Sequence, residues 1–158
     1  MRCICLPKCS QFYVLASDEL NEIDYNSFPI AIIFNSKSRA SGGEHWLAAF
    51  YSKVRHGIIL EVFDPLGKTV NQRSIKFPHV SSYENTKRIP SHESSQCGEY
   101  CLMYIYYKIN GYSMGRFLSQ VCKEKERNEA IVKSFTKRIQ RSCHQLRPSR
   151  LPLITCRL

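Results

Sequence analysis

Apolar positions fall into short continuous runs in the first half of the chain and into helix-spaced stripes in the second. Residues 30–34 (IAIIF), opened by Phe28-Pro29, are five apolar residues with β-branched content, which suits a buried strand better than a helix. Residues 45–51 (HWLAAFY) and 58–63 (IILEVF) are two further strand-like runs, and the polar stretch between them predicts a hairpin with Gly57 supplying the turn. Asp64-Pro65-Leu66-Gly67 stops the second of these, because proline cannot continue a central ladder and the Pro/Gly pair favours a turn. Upstream, Ser17 followed by Asp18 and Glu19 predicts a short helix with Ser17 as N-cap and acids in its first turn. Residues 68–90 are polar and weakly periodic, with residues 83–89 offering one more short strand.

The period then changes. In residues 98–110 (GEYCLMYIYYKIN), Cys101, Leu102, Ile105 and Ile109 recur at helical spacing, and Asn110-Gly111 is a C-terminal stop. Residues 113–122 and 126–141 predict two more helices, the second carrying Ala130, Ile131, Ser134, Phe135 and Ile139 on one stripe with basic residues opposite. No internal repeat or low-complexity block interrupts the chain. The expected fold class is α+β: a small, mainly antiparallel sheet packed on a central helix, with a C-terminal helical group. One domain is expected over the 158 residues, with its core at about 12–141 and loosely ordered tails at 1–11 and 142–158.

Composition changes this picture in three places. No segment approaches the roughly eighteen uninterrupted apolar residues of a membrane span, so no membrane partner is expected. The first ten residues, MRCICLPKCS, lack an apolar stretch followed by a cleavage site, so the expectation is an intracellular protein, in the nucleus or a virion, rather than a secreted one. Its eight cysteines are then expected to be mostly reduced thiols. Lys and Arg outnumber Asp and Glu by 23 to 13, and residues 123–150 hold nine of the basic residues against Glu124, Glu126 and Glu129. A polyanion is the natural partner of such a face, through Lys133, Lys137, Arg138 and Arg141, with phosphate-dominated, sequence-independent contacts to DNA.

Three local contexts carry chemistry. Gly43-Glu44-His45-Trp46 opens one predicted strand, Phe63-Asp64-Pro65 closes the next, and Ser95-Gln96-Cys97-Gly98 opens the central helix. In a hairpin the first residue of one strand neighbours the last of the other, so His45 and Asp64 are expected to touch, the carboxylate holding the imidazole tautomer. Cys97 at a helix start sits where the macrodipole favours a thiolate, and a His45 cation would favour it further. The set predicts acyl transfer: Cys97 as nucleophile, His45 as base and Asp64 as orienter, with first-turn N–H groups available to a developing oxyanion. Each residue alone has an ordinary reading, as a helical thiol, a strand histidine and a turn aspartate; the order of the three carries the signal.

With GEHWLAAFY, EVFDPLG and QCGEYCLMYIYYKINGYS in that order, the chain resembles the adenovirus protease (adenain) group of cysteine peptidases, including those of Maverick/Polinton elements and related viruses, and more distantly the SUMO-specific proteases. The resemblance runs from about Tyr13 to about Arg141. It implies a papain-like, adenain-like fold and a thiol endopeptidase maturing viral or transposon capsid precursors. Position by position, His45 matches the family's base, Asp64 its acidic partner and Cys97 its nucleophile. It also implies a monomer without a cofactor, activated by DNA or a peptide.

The chain departs from the pattern where the family places an oxyanion-donating glutamine several residues before the cysteine: here the aligned position is Pro90 or Ser91. Loss of one such donor typically costs about a hundredfold to a thousandfold in turnover. Gln96 is the nearby glutamine, with Ser91 and His92 as other substitutes. Two alternatives therefore stand beside the endopeptidase: a catalytically impaired protease fold acting as a nucleic-acid-binding or scaffold protein, and a deconjugase of ubiquitin-like modifiers. Cys101, one turn after Cys97, is expected to be a packed thiol. Cys3, Cys5 and Cys9, even with Cys143, His144 or Cys156, lack paired-knuckle spacing, and no metal site is expected.

Overall fold

The computed structural model describes residues 11–73, 75, 77, 82–91, 93–121 and 125–145, with side chains of the last stretch described from 127 to 142. In chain order the elements are β1 (Gln11–Ala16), β2 (Ile30–Asn35), β3 (Trp46–Val54), β4 (Gly57–Phe63), β5 (Ser82–Glu84), α1 (Cys97–Ile109), α2 (Met114–Val121) and α3 (Lys125–Gln145). Strands form one sheet in the order β1-β2-β3-β4-β5. The long central pairings, β2–β3 and β3–β4, are antiparallel, while the edge strands β1 and β5 run parallel to their neighbours. This is the expected α+β class.

Why β2 reads as an unbroken apolar run is visible in its two faces. Ala31 and Ile33 pack toward α1 with Ala48, Phe50 and Phe63, whereas Ile30, Ile32 and Phe34 join Leu20, Leu47, Tyr51, Leu60 and Val62 on the other side. A strand covered on both faces has no polar alternation to show. On the helical side, residues 100–105 of α1 are all buried. There Phe63 stacks on Tyr104 at 4.7 Å, and Phe117 of α2 meets both rings edge-on at 5.4 Å. Gly111, at φ +85°, ends α1 by returning its N–H to the Lys108 carbonyl, as expected of the Asn110-Gly111 stop.

Several local expectations are corrected. Residues 11–16 form β1, a strand that the run into Ser17 concealed. The turn after it is 3-10 rather than α, and Ser17 is its first residue; the cap position is Ala16, whose N–H is taken by the Glu19 carboxylate at 2.8 Å. Asp18 and Glu19 are drawn outward to Arg39, which donates its Nε to Glu19 at 2.6 Å. In the hairpin, Val54 pairs with Gly57, so Arg55 and His56 make the turn and Gly57 begins β4. The strand expected at 83–89 is only Ser82–Glu84. α3 extends to Gln145, past the expected end, and buries Asn128, Val132 and Phe135; Ala130 and Ser134 are exposed. Cys3, Cys5, Cys9, His92 and Cys156, and the side chains of Cys143 and His144, lie outside the described residues. Among the described residues no helix is long and apolar enough to cross a membrane.

Candidate active site

His45 sits immediately before β3, at the end of a loop fixed by one amide. Asn35 Oδ1 accepts from the backbone N–H groups of Lys37 and Glu44, both at 3.0 Å, and Ser36 N–H donates to the His45 carbonyl at 2.8 Å. Gly43 is required twice over: its φ is +80°, and a Cβ there would come within 2.8 Å of Asn35 Nδ2. The loop thereby delivers the imidazole to the end of the central strand with little freedom. Glu44 itself turns outward to Lys37, an exposed pair at 3.2 Å.

Asp64 follows β4 directly. Ala48 pairs with Phe63, so Asp64 falls opposite Leu47, and His45 reaches it from two residues further along rather than straight across the ladder. The reach closes at 2.7 Å between His45 Nε2 and Asp64 Oδ1, with the residues only 6% and 1% exposed. Three further groups hold Asp64, two of them at its carboxylate. Leu66 N–H donates to Oδ1 at 2.7 Å, Arg73 Nε donates to Oδ2 at 2.5 Å, and Asn85 clamps the main chain, accepting from Asp64 N–H at 2.8 Å and donating to Asp64 O at 2.7 Å. Arg73 and Asn85 were not expected from the sequence. The one local signal was Thr69-x-x-Gln72, a capping-box spacing whose reciprocal bonds (2.9 and 3.4 Å) build the turn that carries Arg73.

Cys97 is the first residue of α1 and is half-buried. Around its sulfur stand the groups that act on its ionisation, the His45 imidazole and the backbone N–H groups of Trp46 and Gly98. With Asp64 occupying Nε2, the other ring nitrogen of His45 serves the thiol. One turn on, Cys101 is wholly buried and donates to the Trp46 carbonyl at 3.3 Å, so both polar groups of the Trp46 backbone tie the start of α1 to the start of β3. Cys101 is thus a packed thiol, and burial pushes its pKa well up, away from thiolate chemistry.

The electrostatics follow the geometry. Burial alone would raise the Cys97 thiol, but the hydrogen bonds from His45, Trp46 and Gly98 and the charge of His45 bring it below its ordinary value. Burial opposes the His45 cation, yet the hydrogen bonds to Asp64 and Cys97 and the Asp64 charge raise it. For Asp64, burial is outweighed by His45 and Arg73, and the carboxyl lies below its usual range. A thiol pulled down and an imidazole pulled up favour a thiolate–imidazolium pair.

Gln96 occupies the N-cap position of α1 without capping it by its side chain, and its Oε1 is buried without a hydrogen-bond partner. Ser91 gives its carbonyl to Arg88 at 3.0 Å, and Pro90 is buried. Gly98 faces the Trp46 ring, where a Cβ would stand 3.6 Å from Cδ1, an ordinary contact, so packing does not demand glycine there. Lys133, Lys137, Arg138 and Arg141 are exposed on α3, and the last three line a shallow groove with Ser134 and Ser142.

No protein-family model matches the chain, and no curated protein does. Among the solved structures it is similar to are the crystal structure of ASFV pS273R protease (18% identity, TM-score 0.48) and that of its Se-Met form (17%, 0.46), each match covering 68% of this chain and 54% of the other. The chain spans about half the length of these proteins. At such identity the chemistry has to be read from this chain's own residues.

Proposed function

We propose that the chain is a cysteine endopeptidase with Cys97 as nucleophile, His45 as base and Asp64 as orienter. The observation that supports this is the buried His45 Nε2 to Asp64 Oδ1 bond at 2.7 Å beside Cys97 at the mouth of α1, with His45 and Cys97 acting on each other's ionisation. In this reading the thiolate attacks a peptide carbonyl, and His45 gives its proton to the leaving amine. The resulting thioester is hydrolysed by a water that His45 deprotonates. The developing oxyanion is met by N–H groups of the first turn of α1, with Gln96 the amide side chain nearest in sequence to the sulfur.

The order of motifs resembling the adenain group favours viral or transposon capsid precursors as substrates over modifiers ending in Gly-Gly, and DNA or a peptide as activator. Incubation of precursor protein with wild type and with Cys97→Ala tests the peptidase; equal cleavage by both ends it. Iodoacetamide labelling at low pH gives a substrate-free check: selective modification of Cys97 over the other seven cysteines, suppressed in His45→Ala, is the expected result. A second reading, a DNA-binding scaffold on the same fold, is favoured by the exposed Lys133, Lys137, Arg138 and Arg141. It predicts uniform slow thiol labelling together with DNA affinity that falls steeply with salt.

A further inference from the structure

Arg73 is a charged member of the site with no place in the nucleophile–base–orienter scheme. Its side chain is 10% exposed, against 2% for that of Asp64, and its Nε donates to the carboxylate oxygen that His45 does not use. Burying a guanidinium is costly unless it is paired, and this one leaves Nη2 buried without a partner, so the arrangement is not explained by economy of packing. It is nevertheless firmly built. The turn of residues 71–73 is closed by Arg73 N–H to Val70 O at 3.1 Å, Ile75 N–H also bonds Val70 O at 3.0 Å, and Val70 N–H is held by Glu84 Oε2 at 2.7 Å. Val70 and Ile75 are themselves buried in the sheet's outer core.

We propose that Arg73 is a positioning residue of the active site: by occupying Oδ2 it commits Oδ1 to His45, and its charge sets the pH at which the Cys97–His45 pair forms. This rests on the peptidase reading and deepens it. A carboxylate flanked on one side alone can rotate and share either oxygen with the imidazole; with Nε on Oδ2 and Leu66 N–H on Oδ1, rotation breaks two bonds at once. The charge acts in a definite sense. Among the described residues, the ionisable groups around the pair are Asp64 from the end of β4, Arg73 from its turn, and Glu99 and the neutral, buried Cys101 from α1. Among these Arg73 is the sole fixed cation; it opposes the imidazolium and favours negative charge nearby. Removing it therefore makes the thiolate harder to form and the imidazolium easier to keep.

The test uses the full chain and two readouts that need no peptide substrate: the pH dependence of Cys97 alkylation by iodoacetamide, and the titration of the His45 ring by NMR. Arg73→Gln and Arg73→Met are expected to move the His45 midpoint upward by about one pH unit, since a nearby charge shifts a pKa by about that much, and the more distant Cys97 midpoint in the same direction by less. Arg73→Lys keeps the charge and is expected to stay within about 0.3 unit of wild type. Midpoints unmoved in a folded Gln or Met variant overturn the proposal. If neither folds, Arg73→Lys decides alone: unmoved midpoints support a charge effect, and a shift like that expected of Gln refutes it. A wild-type Cys97 that alkylates like an ordinary thiol at every pH would instead remove the peptidase reading on which the proposal stands.

Discussion

The turn after Asp64 is the point at which a single methyl group tests the whole site. Gly67 has φ +70° and gives its N–H to Asp64 O at 2.8 Å; a Cβ there would meet the backbone of the next segment, at 2.6 Å from Lys87 C and 2.8 Å from Arg88 N. That segment is tied back by Ile89 N–H to Pro65 O at 3.0 Å and leads into the loop before Cys97. Gly67→Ala thus carries two costs. The left-handed conformation costs an L-residue about 1–2 kcal/mol, partly offset by about 0.4–1 kcal/mol from the stiffer unfolded chain. Overpacking against backbone, which cannot rotate away as a side chain can, adds about 1–3 kcal/mol. The sum is about 1–5 kcal/mol, centred on about 3, or a fall in Tm of roughly 5–15 °C around that centre for a chain of this size. Gly111→Ala is the internal control, because Gly111 has φ +85° with nothing within 4 Å of its Cβ position and should lose only about 1 kcal/mol. Urea denaturation of the two variants beside wild type measures the difference. Equal losses would refute the close approach of residues 65–67 to 87–88, and with it the account of how Asp64 and the Cys97 loop are held in one frame.

Two further outcomes are expected. Asp64 has a folded pKa below its ordinary value of 3.8, so the stability it contributes is present above that pH and is lost as pH falls through the folded value; urea midpoints measured from pH 6 to pH 3 should drop for wild type and drop less for Asp64→Asn, and parallel curves would contradict the buried ionised carboxylate. Phe117 is fully buried against Phe63, Tyr104 and Tyr107, so Phe117→Ala should cost about 3–5 kcal/mol in the same assay, and a loss under about 1 kcal/mol would mean that α2 does not seal this side of the core.

Local patterning was enough for the middle of the sheet and for α1. Residues 30–34, 45–51 and 58–63 announce strands because apolar β-branched runs bounded by turn residues have few other uses, and Asn110-Gly111 marks where a helical stripe must stop. The order His45, Asp64, Cys97 was legible for the same reason: each residue stands beside a signal that ends or begins an element. The edges were read less well: β1 was missed, and of the strand expected at 83–89 only its start coincides with β5, since a parallel edge strand leaves no turn signature and little alternation to read. The stripe on α3 was read partly out of phase, because which side of a helix is covered depends on its neighbour: Ile131, Phe135 and Ile139 do pack on the core, but Val132 is buried while Ala130 and Ser134 are exposed.

What the sequence by itself determined is the kind of chemistry on offer and the elements that carry it, since those depend on residues within a few positions of one another. Tertiary structure alone decided how an aspartate is kept ionised and aimed. Asn85 and Arg73 are polar residues in a stretch with no period, and nothing near them in the chain says that one grips Asp64's backbone at 2.8 Å and the other its free oxygen at 2.5 Å. Such contacts join segments brought together only when the sheet closes, and a hydrogen bond, unlike hydrophobic periodicity, is set by where its two ends come to rest in space.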